Sequence, residues 1–203
     1  MKIHGDMISP YVRMCFVAAH EAGIVDQIEL IATEVAIAEE NTQLALLSPI
    51  AQIPVLETAE GAVLHDSRVI VEYICHMAGR TQMTEGVGGR FRTLTLQAIA
   101  QGIADAAVAH RNESAQRPME LHWRRWLDRL RQRVERALDA LEAQWHADLA
   151  NVNIGSISVA VVLSYLDFRF SIWNWRTARP RLAAFHAEFS ARPSMRATAL
   201  PTA

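Results

Sequence analysis

Over the first 80 residues, short apolar runs alternate with longer helical patterns. Residues 1–5 and 27–31 read as strands. Between them Pro10–Ala22 reads as a helix with Val12, Cys15, Phe16 and Ala19 on one face, stopped by Gly23. Residues 38–47 carry a weaker helical pattern. Two short strands, 54–57 and 62–64, flank the hairpin-like turn Thr58-Ala59-Glu60-Gly61. Asp66 then caps a helix whose Val69, Ile70, Tyr73, Ile74 and Met77 share a face, and Gly79 ends it. The order is βαβαββα.

From residue 80 to 89 the periodicity lapses into a linker, and everything beyond is helical in pattern. Residues 90–111 read as one long helix. Residues 118–145 read as a second, with Leu127, Leu130, Val134, Leu138, Leu141 and Trp145 three and four apart. Its other face carries Arg124, Arg125, Arg129, Arg131, Arg133 and Arg136, interrupted by Asp128 and Glu135. With those acids and no aromatic platform, the run is a solvated, ion-paired face and not a nucleic-acid surface. A further helix starts at Asn153, with Ser156 placed to answer the cap and Val152 and Ile157 to staple it. Its almost wholly apolar stretch 159–166 takes it through a core. Residues 181–191 form a last helix closed by Arg192-Pro193. The pattern predicts an α/β domain over 1–80, a linker over 81–88 and an all-helical domain over 89–203.

Composition adds little until it is divided. The 203 residues are 51% hydrophobic and 21% charged, with a net charge of −2. Up to Arg80 there are four basic and eleven acidic residues, a net of −7; the remainder has sixteen and eleven, a net of +5. Such a switch accompanies a domain boundary. No apolar run approaches the roughly 20 residues of a membrane span. The N-terminus lacks the charged-then-apolar plan of a secretory signal, so a cytoplasmic protein is expected. Cys15 and Cys75 make no CxxC pair and lie in apolar stretches, where small buried hydrophobes are expected rather than reactive thiols. The eight histidines show no metal-ligand spacing, and no metal is expected.

Three segments of the first domain carry candidate chemistry, each with a plain alternative. Ser9-Pro10 is a strong helix start, serine capping and proline in the first turn, yet a hydroxyl there also sits at the positive end of the helix dipole. Ile53-Pro54 reads as an edge proline, trans on base rates. Asp66-Ser67 reads as another cap. Singly, none decides a function.

In register they resemble a family. Ser9-Pro10-Tyr11-Val12-Arg13, Gln52-Ile53-Pro54-Val55-Leu56 and Asp66-Ser67-Arg68-Val69-Ile70-Val71-Glu72-Tyr73-Ile74 are similar to the glutathione transferase superfamily. Asp105-Ala106-Ala107, Ile154-Gly155-Ser156, Tyr165-Leu166-Asp167-Phe168-Arg169 and Arg192-Pro193-Ser194 look like its bacterial serine-type branch. The resemblance implies a thioredoxin-like N-terminal domain, a helical C-terminal domain and glutathione as co-substrate. It implies a cis Pro54, with Ile53 pairing strand-like to the cysteinyl part of the tripeptide, Asp66 and Ser67 on its γ-glutamyl end, and Gln52 beside them. Ser9 falls at the catalytic position, its hydroxyl donating to the glutathione thiolate. Met14 stands where relatives often have a basic residue, and Gln101 where an acidic one is common. Arg13 is expected to pair with a nearby acid. Tyr11, Phe91, Leu94, His110, Arg111 and Trp123 are the candidates for an electrophile site between the domains. The function implied is conjugation of glutathione to small, mostly apolar electrophiles by a homodimer, without nucleic-acid or membrane partners. A glutathione-fold interaction protein with little turnover and a glutathione-dependent thiol reductase are the alternatives.

Overall fold

The structure, a computed structural model, describes residues 1–201; positions 202 and 203 of the expected helical domain lie outside them. Four short strands come first: β1 (Lys2–Gly5), β2 (Glu29–Ala32), β3 (Val55–Glu57) and β4 (Val63–Leu64). Among them are α1 (Pro10–Ala22) and α2 (Thr42–Leu47), and after them α3 (Ser67–Met77). The sheet order is β2-β1-β3-β4, with β2 parallel to β1 and the other two pairs antiparallel. A parallel neighbour requires a crossover, and α1 supplies it. This is the thioredoxin-like arrangement.

The helical remainder comprises α4 (Gln82–Glu85), α5 (Arg90–Gln116), α6 (Arg124–Gln144), α7 (His146–Leu149), α8 (Ile154–Phe170), α9 (Pro180–Ser190) and α10 (Pro193–Ala197). The central helix is α8, packed on α5, α1, α7 and α9. Its start is the capping box expected from sequence: Asn153 Oδ1 accepts the Gly155 and Ser156 N–H groups at 2.9 Å each, and Ser156 Oγ accepts from Asn153 N–H at 2.9 Å. Gly155 lets α8 lie against α5, because a Cβ there would stand 2.9 Å from the Leu96 side chain. The helical stretch Ile154–Trp173 is long and apolar enough to cross a membrane, contrary to the expectation that no run approaches that length. Some 72% of its most apolar 18-residue window is buried inside the fold, which makes it a core helix.

Several boundaries differ from the sequence pattern for local reasons. α2 begins four residues later than the expected start at 38 because Asn41 caps it, accepting from Leu44 N–H at 3.0 Å. β2 begins two residues late because Val25–Gln27 forms a 3-10 turn. The expected linker contains α4, whose Met83 and Thr84 are buried. α5 runs five residues further than residue 111. α6 starts at Arg124 and not at 118, because Met119–Leu121 is a 3-10 turn and Glu113 Oε1 accepts the Trp123 N–H at 2.9 Å. A short helix, α10, follows Arg192 where none was expected.

The C-terminal segment locks onto α1. Arg13, expected to pair with an acid, is 3% exposed and instead donates to Thr198 Oγ1 and the Met195 carbonyl at 3.3 Å each. Burial pushes its guanidinium down to about 10. Arg192 donates to the two Glu21 carboxylate oxygens through Nε and Nη2, at 2.7 Å each, and Ser194 donates to the same carboxylate. Burial alone raises the Glu21 ionisation, but these donors outweigh it and hold the carboxyl below its usual range.

Candidate functional site

The turn before α1 is built from the chain's own polar groups. β1 passes so close to α1 that a Cβ on Gly5 would meet Val12 Cγ2 at 2.4 Å. The Ser9 N–H then bonds the Asp6 carbonyl, and the Ile8 N–H the Asp6 carboxylate, at 2.9 Å each. Ser9 takes the N-cap backbone conformation (φ −64°, ψ 124°) with Pro10 next, but its hydroxyl makes no capping bond. The expected capping role is therefore carried by its backbone alone. Among the described residues the hydroxyl has no hydrogen-bond partner; it is half-buried and opens on a cleft.

That cleft encloses about 990 Å³. Besides Ser9 it is lined by Gln52, Ile53, Pro54, Asp66, Ser67 and Arg68 from the first domain. The Ile53–Pro54 bond is cis, as is His65–Asp66. Ile53 lies just before the β3 ladder, and among the described residues its backbone N–H and C=O have no partner. An extended peptide can pair there as an added strand. Asp66 caps α3 by accepting the Arg68 N–H at 2.9 Å, and its other oxygen meets Arg68 Nη2 at 2.8 Å. Burial raises its ionisation, but Arg68 outweighs that and holds the carboxyl below its ordinary range. Ser67 is 2% exposed, its Oγ 3.5 Å from Gln101 Nε2 across the domain boundary. The Gln101 Oε1 is buried and has no partner among the described residues. A hydroxyl without a partner, an unpaired backbone edge and a helix start carrying a serine, all in one cleft, suit an extended peptide that bears a carboxylate.

Comparison with known proteins agrees. Residues 8–77 match the family model "Glutathione S-transferase, N-terminal domain" and residues 124–188 the model "Glutathione S-transferase, C-terminal domain". The chain is 31% identical over 207 residues to the uncharacterised GST-like protein YibF of Escherichia coli K12, covering all of both. The chain belongs to the glutathione S-transferase family. A family member from Pseudomonas fluorescens Pf-5, solved with bound glutathione, is 39% identical with a TM-score of 0.91 over 99% of both chains. The Pseudomonas fluorescens Pf-5 family member solved with bound S-(propanoic acid)-glutathione is 38% identical, TM-score 0.86, over all of both chains. A glutathione S-transferase from Methylobacillus flagellatus KT with glutathione bound is 28% identical, TM-score 0.84, over 98% of both.

The far side of the transferase cleft differs from the sequence-based candidates. Of these only Tyr11 lines it. Its hydroxyl donates to Asp105 Oδ1 at 2.6 Å, and burial with that carboxylate pushes its ionisation far up. Phe91 is 83% exposed and lies outside the lining. Trp123, 65% exposed, stacks on Trp126, and His110 packs edge-on between Phe170 and Trp173. Leu94 lines a neighbouring hollow with Ile50 and His65, and Arg111 does not reach the cleft. The wall is instead Gln101, Asp105, Val108, Asn112 and Gln116 on α5, with Tyr165 of α8. The α5 residues are spaced four, three, four and four apart, a single helical face. Sequence carried that stripe but nothing in it said which face meets the first domain. Arg68 was read only as part of a motif, although it completes the Asp66 pair.

Neither cysteine takes part. Cys15 lies in the core of α1, its thiol donating to the Tyr11 carbonyl at 3.4 Å, and burial pushes it well above a free thiol. Burial raises Cys75 to about 11. Among the described residues no three His, Cys, Asp or Glu side chains gather as metal ligands do.

Proposed function

We propose that the chain is a serine-type glutathione transferase that joins the sulfur of glutathione to small electrophiles. The observation that carries this is the Ser9 hydroxyl: without a partner among the described residues, at the N-terminus of α1, in one cleft with the unpaired Ile53 backbone and Ser67. Glutathione bound across Ile53 brings its cysteinyl sulfur toward that hydroxyl. Its γ-glutamyl carboxylate meets Ser67 and the start of α3, and its ammonium group meets Asp66. Gln52 and Arg68 border the same pocket. A free thiol near pKa 8.5 is mostly protonated at neutral pH. A hydroxyl donor and the helix dipole both favour thiolate, and a shift of one unit corresponds to about 1.4 kcal/mol. The nucleophile belongs to glutathione; Ser9 activates and holds it.

That relatives were solved with glutathione, and one with S-(propanoic acid)-glutathione, supports both the ligand and room for a substituent on sulfur. The electrophile wall mixes Val108 and Ala109 with Asp105, Asn112 and two phenols, so the preferred electrophile is small and partly polar rather than mostly apolar. A reductase reading is not favoured, because both thiols are buried and held protonated.

The Ser9→Ala variant tests the activating role. Glutathione affinity by calorimetry is expected within about threefold of wild type. The pKa of the bound thiol, read from thiolate absorbance, rises by about one unit, and conjugation at neutral pH slows about tenfold. Unchanged turnover removes Ser9 from the mechanism.

We infer further that the protein works as a cytoplasmic homodimer that clears reactive electrophiles. The acidic first 80 residues complement the basic remainder of a second copy, and the hollow along α5 and α6 near Trp126, Leu130 and Arg133 offers a surface. Sedimentation of the full chain at micromolar concentration decides between monomer and dimer.

A further inference from the structure

The connection between α5 and α6 holds large apolar side chains out in solvent on a braced turn. Residues 115–121 are all exposed, so the turn stands out from the helices it joins. On it Met119 is 76% exposed and Leu121 60%, and Trp123 follows at 65%. Glu113 braces the turn with both carboxylate oxygens: Oε1 accepts the Trp123 N–H and Oε2 the Arg117 Nε–H, at 2.9 Å each. His122 Nε2 donates to the Arg117 carbonyl at 2.9 Å. Trp123 stacks on Trp126 with 6.4 Å between ring centroids, which fixes the indole at the edge of the patch. A turn already ordered in this way loses little further freedom when its apolar side chains are covered. Large apolar groups exposed side by side mark an interaction surface.

The charge beside the turn leans to one sign. Residues 117–129 carry four arginines against Glu120 and Asp128, a net of +2. Arg124, Arg125 and Arg129 are exposed, and the ion pairs among the described residues do not include them. The sequence pattern alone reads the arginine run as a solvated face with no aromatic platform, yet Trp123 and Trp126 stand stacked at its start. A nucleic acid offers rings to the indoles and phosphates to the arginines, but nothing to Met119 and Leu121. An anionic bilayer suits all of them: acyl chains for the aliphatic pair, the headgroup boundary for the indole, phosphates for the guanidinium groups.

We propose that the α5–α6 turn binds the surface of an anionic lipid bilayer, with Met119, Leu121 and Trp123 entering the headgroup boundary and Arg124, Arg125 and Arg129 meeting lipid phosphates. This reverses the expectation of no membrane partner. The apolar helix α8 takes no part, because it is buried in the core. Contact is peripheral: the aliphatic pair and one indole reach the boundary, and nothing spans. Gln116, three residues before Met119, lines the glutathione cleft, so the lipid surface lies at the rim of its α5 wall. Lipid binding by the turn requires no glutathione, so the proposal stands independently of the transferase reading.

The test pellets the full-length protein with vesicles of equal parts phosphatidylcholine and phosphatidylglycerol, or of phosphatidylcholine alone. The wild type is expected to bind the mixed vesicles, about tenfold more weakly the neutral ones, and less as salt rises. Met119→Ser with Leu121→Ser lowers the partition coefficient on mixed vesicles about tenfold. Arg124→Gln with Arg125→Gln does the same on mixed vesicles and changes little on neutral ones. Glutathione affinity by calorimetry and sedimentation without vesicles stay as in the wild type for both variants. Where the serine variant melts early, the arginine variant, which alters no apolar group, carries the comparison. A wild type that stays in the supernatant with mixed vesicles overturns the proposal, and so does binding that survives in both variants. A serine variant that turns a dimer into a monomer assigns the turn to an interface between copies and overturns it as well. Tighter binding of single-stranded oligothymidine than of vesicles gives the face to nucleic acid instead.

Discussion

Single residues divide by how local their signal is. Ser9, Ile53-Pro54, Asp66 and Ser67 are legible because each belongs to a short motif whose geometry is set within a few residues. Phe91, His110 and Trp123 are not in the cleft because that wall depends on how α5 turns toward the first domain, a tertiary fact. Asp66 shows how a local role and a ligand role share one side chain. It caps α3 and pairs with Arg68, and the proposed function asks it to meet an ammonium as well. Asp66→Asn separates these. Asparagine caps as well as aspartate, and the Arg68 pair is exposed on both sides, so stability changes by less than about 1 kcal/mol. Loss of a charge-assisted contact to the ligand raises the glutathione dissociation constant about tenfold or more. Calorimetry and a denaturant titration on the same variant check both halves. A large stability loss with unchanged affinity means that Asp66 serves the helix alone.

At the scale of elements, those with strong periodicity or a full cap were readable and those ended by side-chain competition were not. The α8 start was legible because Asn153, Ser156 and the following apolar run all agree. The starts of α2 and α6 moved because Asn41 and Glu113 capture backbone N–H groups that a periodicity argument assigns to helix. The α8 cap is also buried. Asn153 is 2% exposed and its Nδ2 donates to the Asp148 and Asn151 carbonyls at 3.0 Å each. Asn153→Ala removes the acceptor for two N–H groups and strands two carbonyls. The expected cost is about 2 kcal/mol, which for a chain of this size lowers Tm by about 4–8 °C. Differential scanning calorimetry reads this directly. A shift under 1 °C means that α8 is held by packing alone and its cap is idle.

The whole molecule is closed by polar groups that sequence reading passed over, because their partners are far apart in the chain. Arg13 on α1 reaches the C-terminal segment. Nearby, His186 of α9 is 6% exposed, its Nδ1 accepting from Arg176 at 3.0 Å and its Nε2 donating to Ser164 at 2.9 Å. That pattern fits only a neutral ring. Burial pushes the imidazole down to about 4, with Asp167 opposing and Arg176 and Arg13 assisting. In the unfolded chain a histidine protonates near pH 6.5. Between pH 6.5 and 4 the unfolded state binds a proton that the folded state refuses. The stabilisation is complete above that window and declines as pH falls through it, by up to about 3 kcal/mol at its lower edge. The depressed carboxylates Glu21 and Asp66 lose their contribution only at the acid end, through their own range. Unfolding free energies from urea titrations at pH 7, 6 and 5 are therefore expected to fall steadily in the wild type. His186→Gln removes the titrating group, and whatever its starting stability, its slope over this interval is expected to flatten. A slope that survives in this variant assigns the acid sensitivity to another group, with His110, half-buried and also lowered by burial, the next to replace.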